Sequence, residues 1–402
     1  MIRLPRALLA AAAVLLVAAP MTVGAPPPVH ADGEDATPGV RVVAAPEDEQ
    51  QRLARAADLT AGMSLRERAA SVVMGHIPTV DAGTASAYVS GNGLGGFILM
   101  GANVPGDEES LRAFTDALNA DPSFPPLIAI DQEGGDVSRL PWDGFPGART
   151  LRDADPGATR DAFAARAALV DRAGIGVNFG VVADVTGDRS MFIYGRSLGA
   201  DPAATAERVA AAVSGEGAQA ASTLKHFPGH GAAPGDSHAG IPESGKTLAQ
   251  WRSTDAVPFS AGIEAGAALL MFGHLRYPAV DELPASLSPQ WHRIAREELG
   301  FTGVAVTDDL GMLQASGDPA YTDPVANAVA ALSAGSDLVL SVMFSTPESA
   351  PRMVDGIVAA VESGALPAAR LEEAATRVAA LRLARADAGT GFVPCPECTP
   401  AG

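Results

Sequence analysis

Cysteine is nearly missing from this 402-residue chain: the two present, Cys395 and Cys398, both lie in a Pro-rich tail. That excludes a disulfide framework for the body of the protein, and two thiols alone cannot complete a zinc site. Cys395-Pro-Glu-Cys398 also lacks the βαβ context of a thioredoxin-like redox motif, so a small disulfide in an exported chain is the expectation. Positive charge is short as well, with 28 Lys and Arg against 47 Asp and Glu and a formal net charge of −19. Such a surface repels phosphate backbones and anionic headgroups, so nucleic acid is not an expected partner. The apolar run Ala7 to Ala19 is short for a membrane span, and no stable membrane insertion is expected.

That run follows Arg3 and Arg6 and precedes small residues and prolines, with Val29-His30-Ala31 offering a cleavage point. The pattern is that of a secretory signal peptide over residues 1–31, the alternative being an uncleaved anchor. No cysteine stands near the junction, so a lipid anchor is not expected, and release or loose cell-wall association is. Removing residues 1–31 takes away two arginines and no acids, moving the net charge from −19 to −21. Residues 32–59 read as a linker and amino-terminal extension, and residues 386–402 as a tail carrying the cysteine pair. Between them, a composition of 47% hydrophobic and 19% charged residues suffices for a large core.

From the capping-box pattern Ser64-Leu-Arg-Glu67 onward, helical patterns alternate with short apolar runs. Eight such runs read as strands: 71–74, 96–100, 127–130, 176–181, 221–224, 268–272, 303–307 and 337–342. Helices are expected at Asp107–Ala120, Arg160–Ala173 and Ala203–Val213, the last opened by Asp201-Pro202 and closed before Gly215. Near-continuous apolar character suits parallel strands covered on both faces. The fold class is α/β, and polar residues follow several different strands: Asp131 the third, Lys225 and His226 the fifth, His274 the sixth, Asp308 the seventh. That spread favours a single (β/α)8 barrel over residues 60–385. A doubly wound sheet would gather its functional groups at one switch point.

The densest chemistry is Lys225-His-Phe-Pro-Gly-His-Gly-Ala-Ala-Pro-Gly-Asp-Ser-His238, which holds three of seven histidines. Its glycines and prolines place it on a loop leaving the strand 221–224. A carboxylate two residues before a histidine can orient the imidazole and favour its protonated form, which makes Asp236 and His238 a candidate acid/base dyad. The competing reading is a metal site on His226, His230, Asp236 and His238. The spacing His226-Phe-Pro-Gly-His230, however, lacks the glutamate of HExxH, and Pro228-Gly229 break the helix that would align both rings. Lys225 should point into the barrel mouth, where it needs a carboxylate or a ligand oxygen. Asp131 in Asp131-Gln-Glu-Gly-Gly135, Arg139 and Arg196 are candidates for holding sugar hydroxyls, and Asp308 or Asp309 for a nucleophile beneath an anomeric carbon.

Taken in order, Asp131-Gln-Glu-Gly-Gly, Gly195-Arg-Ser, Lys225-His-Phe-Pro-Gly-His-Gly, Asp236-Ser-His and Thr307-Asp-Asp-Leu resemble the β-N-acetylglucosaminidases of glycoside hydrolase family 3, particularly bacterial enzymes acting on cell-wall fragments. The resemblance implies that Asp308 is the nucleophile, His238 the acid/base and Asp236 its partner, with Asp131, Arg139, Arg196, Lys225 and His226 holding the sugar. It implies a retaining exo-glycosidase that needs no metal or cofactor, acting on N-acetylglucosamine-containing glycans or muropeptides. A phosphorylase or a β-glucosidase of the same family is the alternative, and a metal-dependent hydrolase or a non-catalytic sugar-binding barrel lies further off. A monomer is expected. Two departures stand out. Asp136 occupies a position where the family often has a basic residue, and Ala232-Ala233-Pro234 replaces an acidic-polar step.

Overall fold

The computed structural model describes residues 48–389. Residues 1–31, read above as a signal peptide, most of the proposed linker, and Cys395 and Cys398 lie outside them.

Eight parallel strands close a barrel in chain order: β1 (Val73–Gly75), β2 (Gly96–Leu99), β3 (Leu127–Ile130), β4 (Val177–Val182), β5 (Ala221–Phe227), β6 (Leu269–Phe272), β7 (Val304–Asp309) and β8 (Leu338–Leu340). Closure comes from β8 against β1, with Val73 beside Val339. The strands are largely apolar because both faces are covered. Met74, Ile98, Ala129, Phe179, Met271 and Val306 fill the interior, while alternating neighbours such as Phe97, Ile128 and Ile130 face the helix layer. This is the (β/α)8 architecture.

Local sequence sets the helices. Ser64 and Glu67 form the capping box of Leu65–Ser71, so Ser71 ends a helix and the first strand starts at Val73. The helix Pro156–Arg172 begins at the Asp155 cap, four residues before the expected start. Asp201 caps Pro202–Glu216, which runs past Gly215. That glycine serves close packing: a Cβ there would lie 2.3 Å from the carbonyl oxygen of Arg160. Helix 108–118 matches its expected place, with Asp107 as cap.

Two strands overrun their expected ends, and both bear on the site. β5 continues through Phe227, so Lys225 and His226 stand on the strand, and β7 carries both Asp308 and Asp309. Beyond β6, a hairpin pairs Arg276–Tyr277 with Asp281–Pro284. Its buried Tyr277 hydroxyl donates to the Gly229 carbonyl at 2.7 Å, and Trp251 Nε1–H donates to the Pro228 carbonyl at 2.7 Å. The loop leaving β5 is thereby pinned at its base.

Candidate active site

At the carboxyl-terminal mouth a pocket of about 400 Å³ opens, lined among others by Asp131, Arg139, Arg196, Lys225, His226, His238 and Asp308. The three candidate catalytic residues and five candidate sugar-holding residues are thus placed at one end of the barrel, drawn from five chain segments. Asp236 reaches the pocket through His238.

A charge network forms one wall. Lys225 Nζ donates to Asp131 Oδ1 at 2.9 Å and pairs with Glu133 Oε1 at 2.7 Å. Arg196 grips Glu133 through two bonds, at 2.9 and 2.7 Å, and Arg139 reaches Asp131 Oδ2 at 3.4 Å. Burial would raise the Asp131 and Glu133 carboxyls. The Lys225 and Arg196 charges, joined at Asp131 by Arg139, outweigh it and hold both at about 2. Burial would likewise lower Lys225, but Asp131 and Glu133 hold it above its ordinary value. The wall is therefore fully ionised at neutral pH, with fixed donors facing the pocket.

His226 is fixed by its partners. Nδ1 lies 2.8 Å from Asp184 Oδ2 and Nε2 lies 3.2 Å from an Arg196 nitrogen. Since guanidinium can only donate, Nε2 is the acceptor and Nδ1 carries the proton. Burial, then the Arg196 charge, holds this imidazole well below its ordinary value and keeps it neutral. Asp184 also accepts the backbone N–H groups of His226 and His230, which ties the start of the loop to β4.

The two adjacent aspartates divide their work. Asp309 accepts N–H groups from Gly311 at 3.0 Å, Val342 at 2.8 Å and Met343 at 2.8 Å, so it anchors the loop after β8. Burial pushes its carboxyl up to about 6, with the Asp308 charge adding to the rise. Asp308 accepts only the Asp309 N–H, at 2.8 Å, and leaves its other oxygen to the pocket. Burial would raise Asp308, but His226, His274, the Asp309 N–H and Lys225 together hold it below the usual range. Burial also lowers His274, so at neutral pH both imidazoles are uncharged and Lys225 and the N–H are the influences that persist. His274 accepts from Ser286 at 2.7 Å and donates to the Asp309 carbonyl at 2.8 Å, steadying this turn.

At the rim, His238 Nδ1–H donates to Asp236 Oδ1 at 2.7 Å, and the His238 backbone N–H donates to the same oxygen at 3.0 Å. Nε2 is left to exchange protons. Burial would raise Asp236, and the His238 bonds bring it below its usual value. The His238 side chain is 53% exposed, unlike every group on the charged wall, and Phe192 packs edge-on against it at 5.6 Å. His230 is turned away, with Nε2 on Ser237 Oγ at 3.1 Å. The three loop histidines thus hydrogen-bond to three different partners, Asp184, Ser237 and Asp236. Among the described residues no group of three or more His, Cys, Asp or Glu side chains is spaced to hold an ion. Asp136, on the pocket edge, is held by Arg149 through contacts of 2.7 to 3.1 Å.

Sequence reasoning passed over Glu133 and Asp184. Glu133 lies inside the motif that supplied Asp131, and Asp184 sits just past β4. A strand-end carboxylate near β4 was the one available signal, since their partners Arg196 and His226 are 63 and 42 residues away.

A closed parallel barrel whose strand ends converge on one ionised pocket at the carboxyl-terminal mouth is the architecture of a barrel enzyme. Residues 64–381 match the glycosyl hydrolase family 3 N-terminal domain, and the chain belongs to that family. It is a glycoside hydrolase, and its curated relatives place it with the β-hexosaminidases. It is 37% identical over 273 residues to a β-hexosaminidase of Chromobacterium violaceum, covering 65% of this chain and 74% of that protein. A β-hexosaminidase of Pseudomonas aeruginosa is 37% identical over 257 residues, covering 61% of this chain and 74% of the relative. Among solved structures, the family 3 β-N-acetylglucosaminidase of a Paenibacillus species superposes with a TM-score of 0.75 at 29% identity. That match covers 83% of this chain but 65% of the Paenibacillus chain. The β-N-acetylhexosaminidase of Beutenbergia cavernae has a TM-score of 0.70 at 28% identity, over 80% of this chain and 99% of its own.

Proposed function

We propose that the protein is a retaining exo-β-N-acetylglucosaminidase that works through a covalent intermediate on Asp308. The observation that carries this reading is the contrast within the Thr307-Asp308-Asp309 turn. Asp309 spends its oxygens on three N–H groups, whereas Asp308 presents an ionised carboxylate to the pocket. His238 gives its Nε2 proton to the glycosidic oxygen as the Asp308 carboxylate attacks the anomeric carbon. It then takes a proton from water as that water attacks the glycosyl ester, restoring both residues. Asp236 holds the imidazole throughout. Lys225, Arg196 and Arg139 offer donors to the ring hydroxyls, Asp131 an acceptor, and His226 shapes the wall through Arg196. The names of the curated relatives and structural neighbours support N-acetylglucosamine as the sugar.

The natural substrate we propose is cell-wall fragments met outside the cell, a reading supported by the leader pattern of residues 1–31. Incubation with a 2-deoxy-2-fluoro glycosyl fluoride followed by peptide mass spectrometry tests the chemistry, since the sugar should be found on the peptide containing Asp308. Labelling of Asp309 or of no carboxylate would overturn the assignment. The same protein incubated with an aryl N-acetylglucosaminide and an aryl glucoside, with and without phosphate, tests the sugar and the acceptor. A sugar phosphate as main product would make it a phosphorylase.

A further inference from the structure

The loop that follows β8 carries an anomaly. Phe344 is the one non-glycine residue with positive φ among the described residues, at 60°, and it is 66% exposed, the most exposed large hydrophobic residue among them. An L-residue with a bulky side chain is disfavoured in the left-handed region, and a phenylalanine in water gains nothing by being there. The surrounding bonds enforce the conformation. Asp309 takes the N–H groups of Val342 and Met343, both at 2.8 Å. Ser345 returns its N–H to the Val342 carbonyl at 3.1 Å and its hydroxyl to the same oxygen at 2.6 Å. The residue after the proposed nucleophile therefore positions Phe344.

Phe344 lines a groove of about 120 Å³ with Gln314, Ser345 and Arg352. Met343 lines both this groove and the active-site pocket, so the groove begins where the pocket wall ends. We infer that this groove is a subsite for the leaving-group saccharide, whose pyranose ring stacks on Phe344 while Gln314 and Arg352 meet its hydroxyls. This rests on the glycosidase reading above. An exposed ring face on a rigid turn suits a sugar's apolar face, and the neighbouring donors suit its edge.

The test uses full-length protein and two readouts. In the Asp308→Asn variant, which holds substrate without turnover, calorimetry should find the β-1,4-linked N-acetylglucosamine disaccharide bound more tightly than the monosaccharide. Adding Phe344→Ala should reduce that preference by roughly tenfold, the size of one aromatic contact, while leaving monosaccharide binding unchanged. In the active enzyme, Phe344→Ala should lower kcat/KM on the disaccharide by the same factor and spare the N-acetylglucosaminyl fluoride, whose single-atom leaving group cannot reach Phe344. Phe344→Gly should show the same selective loss with a melting temperature no lower than that of the unsubstituted protein, because glycine adopts this φ freely. Equal effects on both substrates, or a disaccharide preference that survives Phe344→Ala, would overturn the subsite. If the Asp308→Asn variant bound neither saccharide, both the subsite and the N-acetylglucosaminidase reading would fall.

Discussion

Asp308 and Asp337 belong to neighbouring strands and are both approached by cations, yet they stand at opposite ends of the barrel and do different things. Asp337 precedes β8 at the amino-terminal floor, where Arg370 at 2.6 Å, Arg377 at 3.2 Å and Arg296 surround its fully buried carboxylate. It also accepts the Ala305 N–H at 3.0 Å, fixing the start of β7. Nothing is left open. Asp308, three residues beyond Ala305 on β7, keeps an oxygen turned to a cavity. A buried charge is therefore no mark of function by itself. What distinguishes the proposed nucleophile is an incomplete partner set at the strand's carboxyl-terminal end, where there is room for a substrate.

Substituting both residues should separate the two roles most strongly. Asp308→Asn should lower kcat by roughly 10⁴-fold, as losing a nucleophile does, with the melting temperature little changed. Asp337→Asn should instead cost about 3 kcal/mol of stability, because three arginines lose their counter-charge, while the folded fraction keeps its kcat. Reversed outcomes in paired kinetics and thermal denaturation would erase the distinction.

A smaller effect should follow at the rim. His238→Ala should reduce turnover by about 10²- to 10³-fold on substrates with poor leaving groups and much less on acidic phenol glycosides. Azide should restore rate and yield a β-configured adduct, and Asp236→Asn should behave as a milder version. Absence of both leaving-group dependence and anion rescue in steady-state assays would remove His238 from the mechanism.

Glu216 offers a third kind of buried carboxyl, one with no cation in hydrogen-bonding contact. It accepts from Asn178 Nδ2 at 2.6 Å, and its other oxygen has no partner. Burial pushes it up to about 8 from an ordinary 4.5, against the opposing influence of Asn178 and Arg166. The folded state then keeps a proton that the unfolded chain releases. This contribution to stability is complete below pH 4.5 and is lost as pH rises through about 8. Glu216→Gln should flatten the fall in melting temperature between these limits and be more stable by a few kcal/mol at the alkaline end. A parallel pH profile in the variant would show that this carboxyl does not set the slope. The smallest expected effect is none: prolonged chelation should leave activity unchanged, since the proposed mechanism assigns no step to a metal. Loss restored by one divalent ion would reinstate the metal reading.

Much of this was legible in the sequence because a barrel writes its chemistry just after its strands. Asp131 and Lys225 could be placed by the apolar runs before them, and Asp236 with His238 by a spacing of two. Boundaries were less visible. Gly215 reads as a helix stop, yet it is a packing contact inside a helix, a fact that depends on Arg160 in the preceding helix. The hairpin 276–284 gave no signal because its pairing is two and four residues long. Glu133 and Asp184 escaped for another reason, since what they do is hold a residue dozens of positions away.

The proposed nucleophile rides on a strand locked at its far end, whereas His238 and Phe344 are displayed on the loops after β5 and β8. Inheritance can act on these parts separately. Changes in loop length or composition can alter which leaving groups are accepted without disturbing the Asp308 carboxylate. The Ala232-Ala233-Pro234 step falls on the loop after β5, and Asp136 on the loop after β3. For an engineer, the same division marks residues 228–242 and 341–345 as the ground for retargeting, and the strand ends as ground to leave alone.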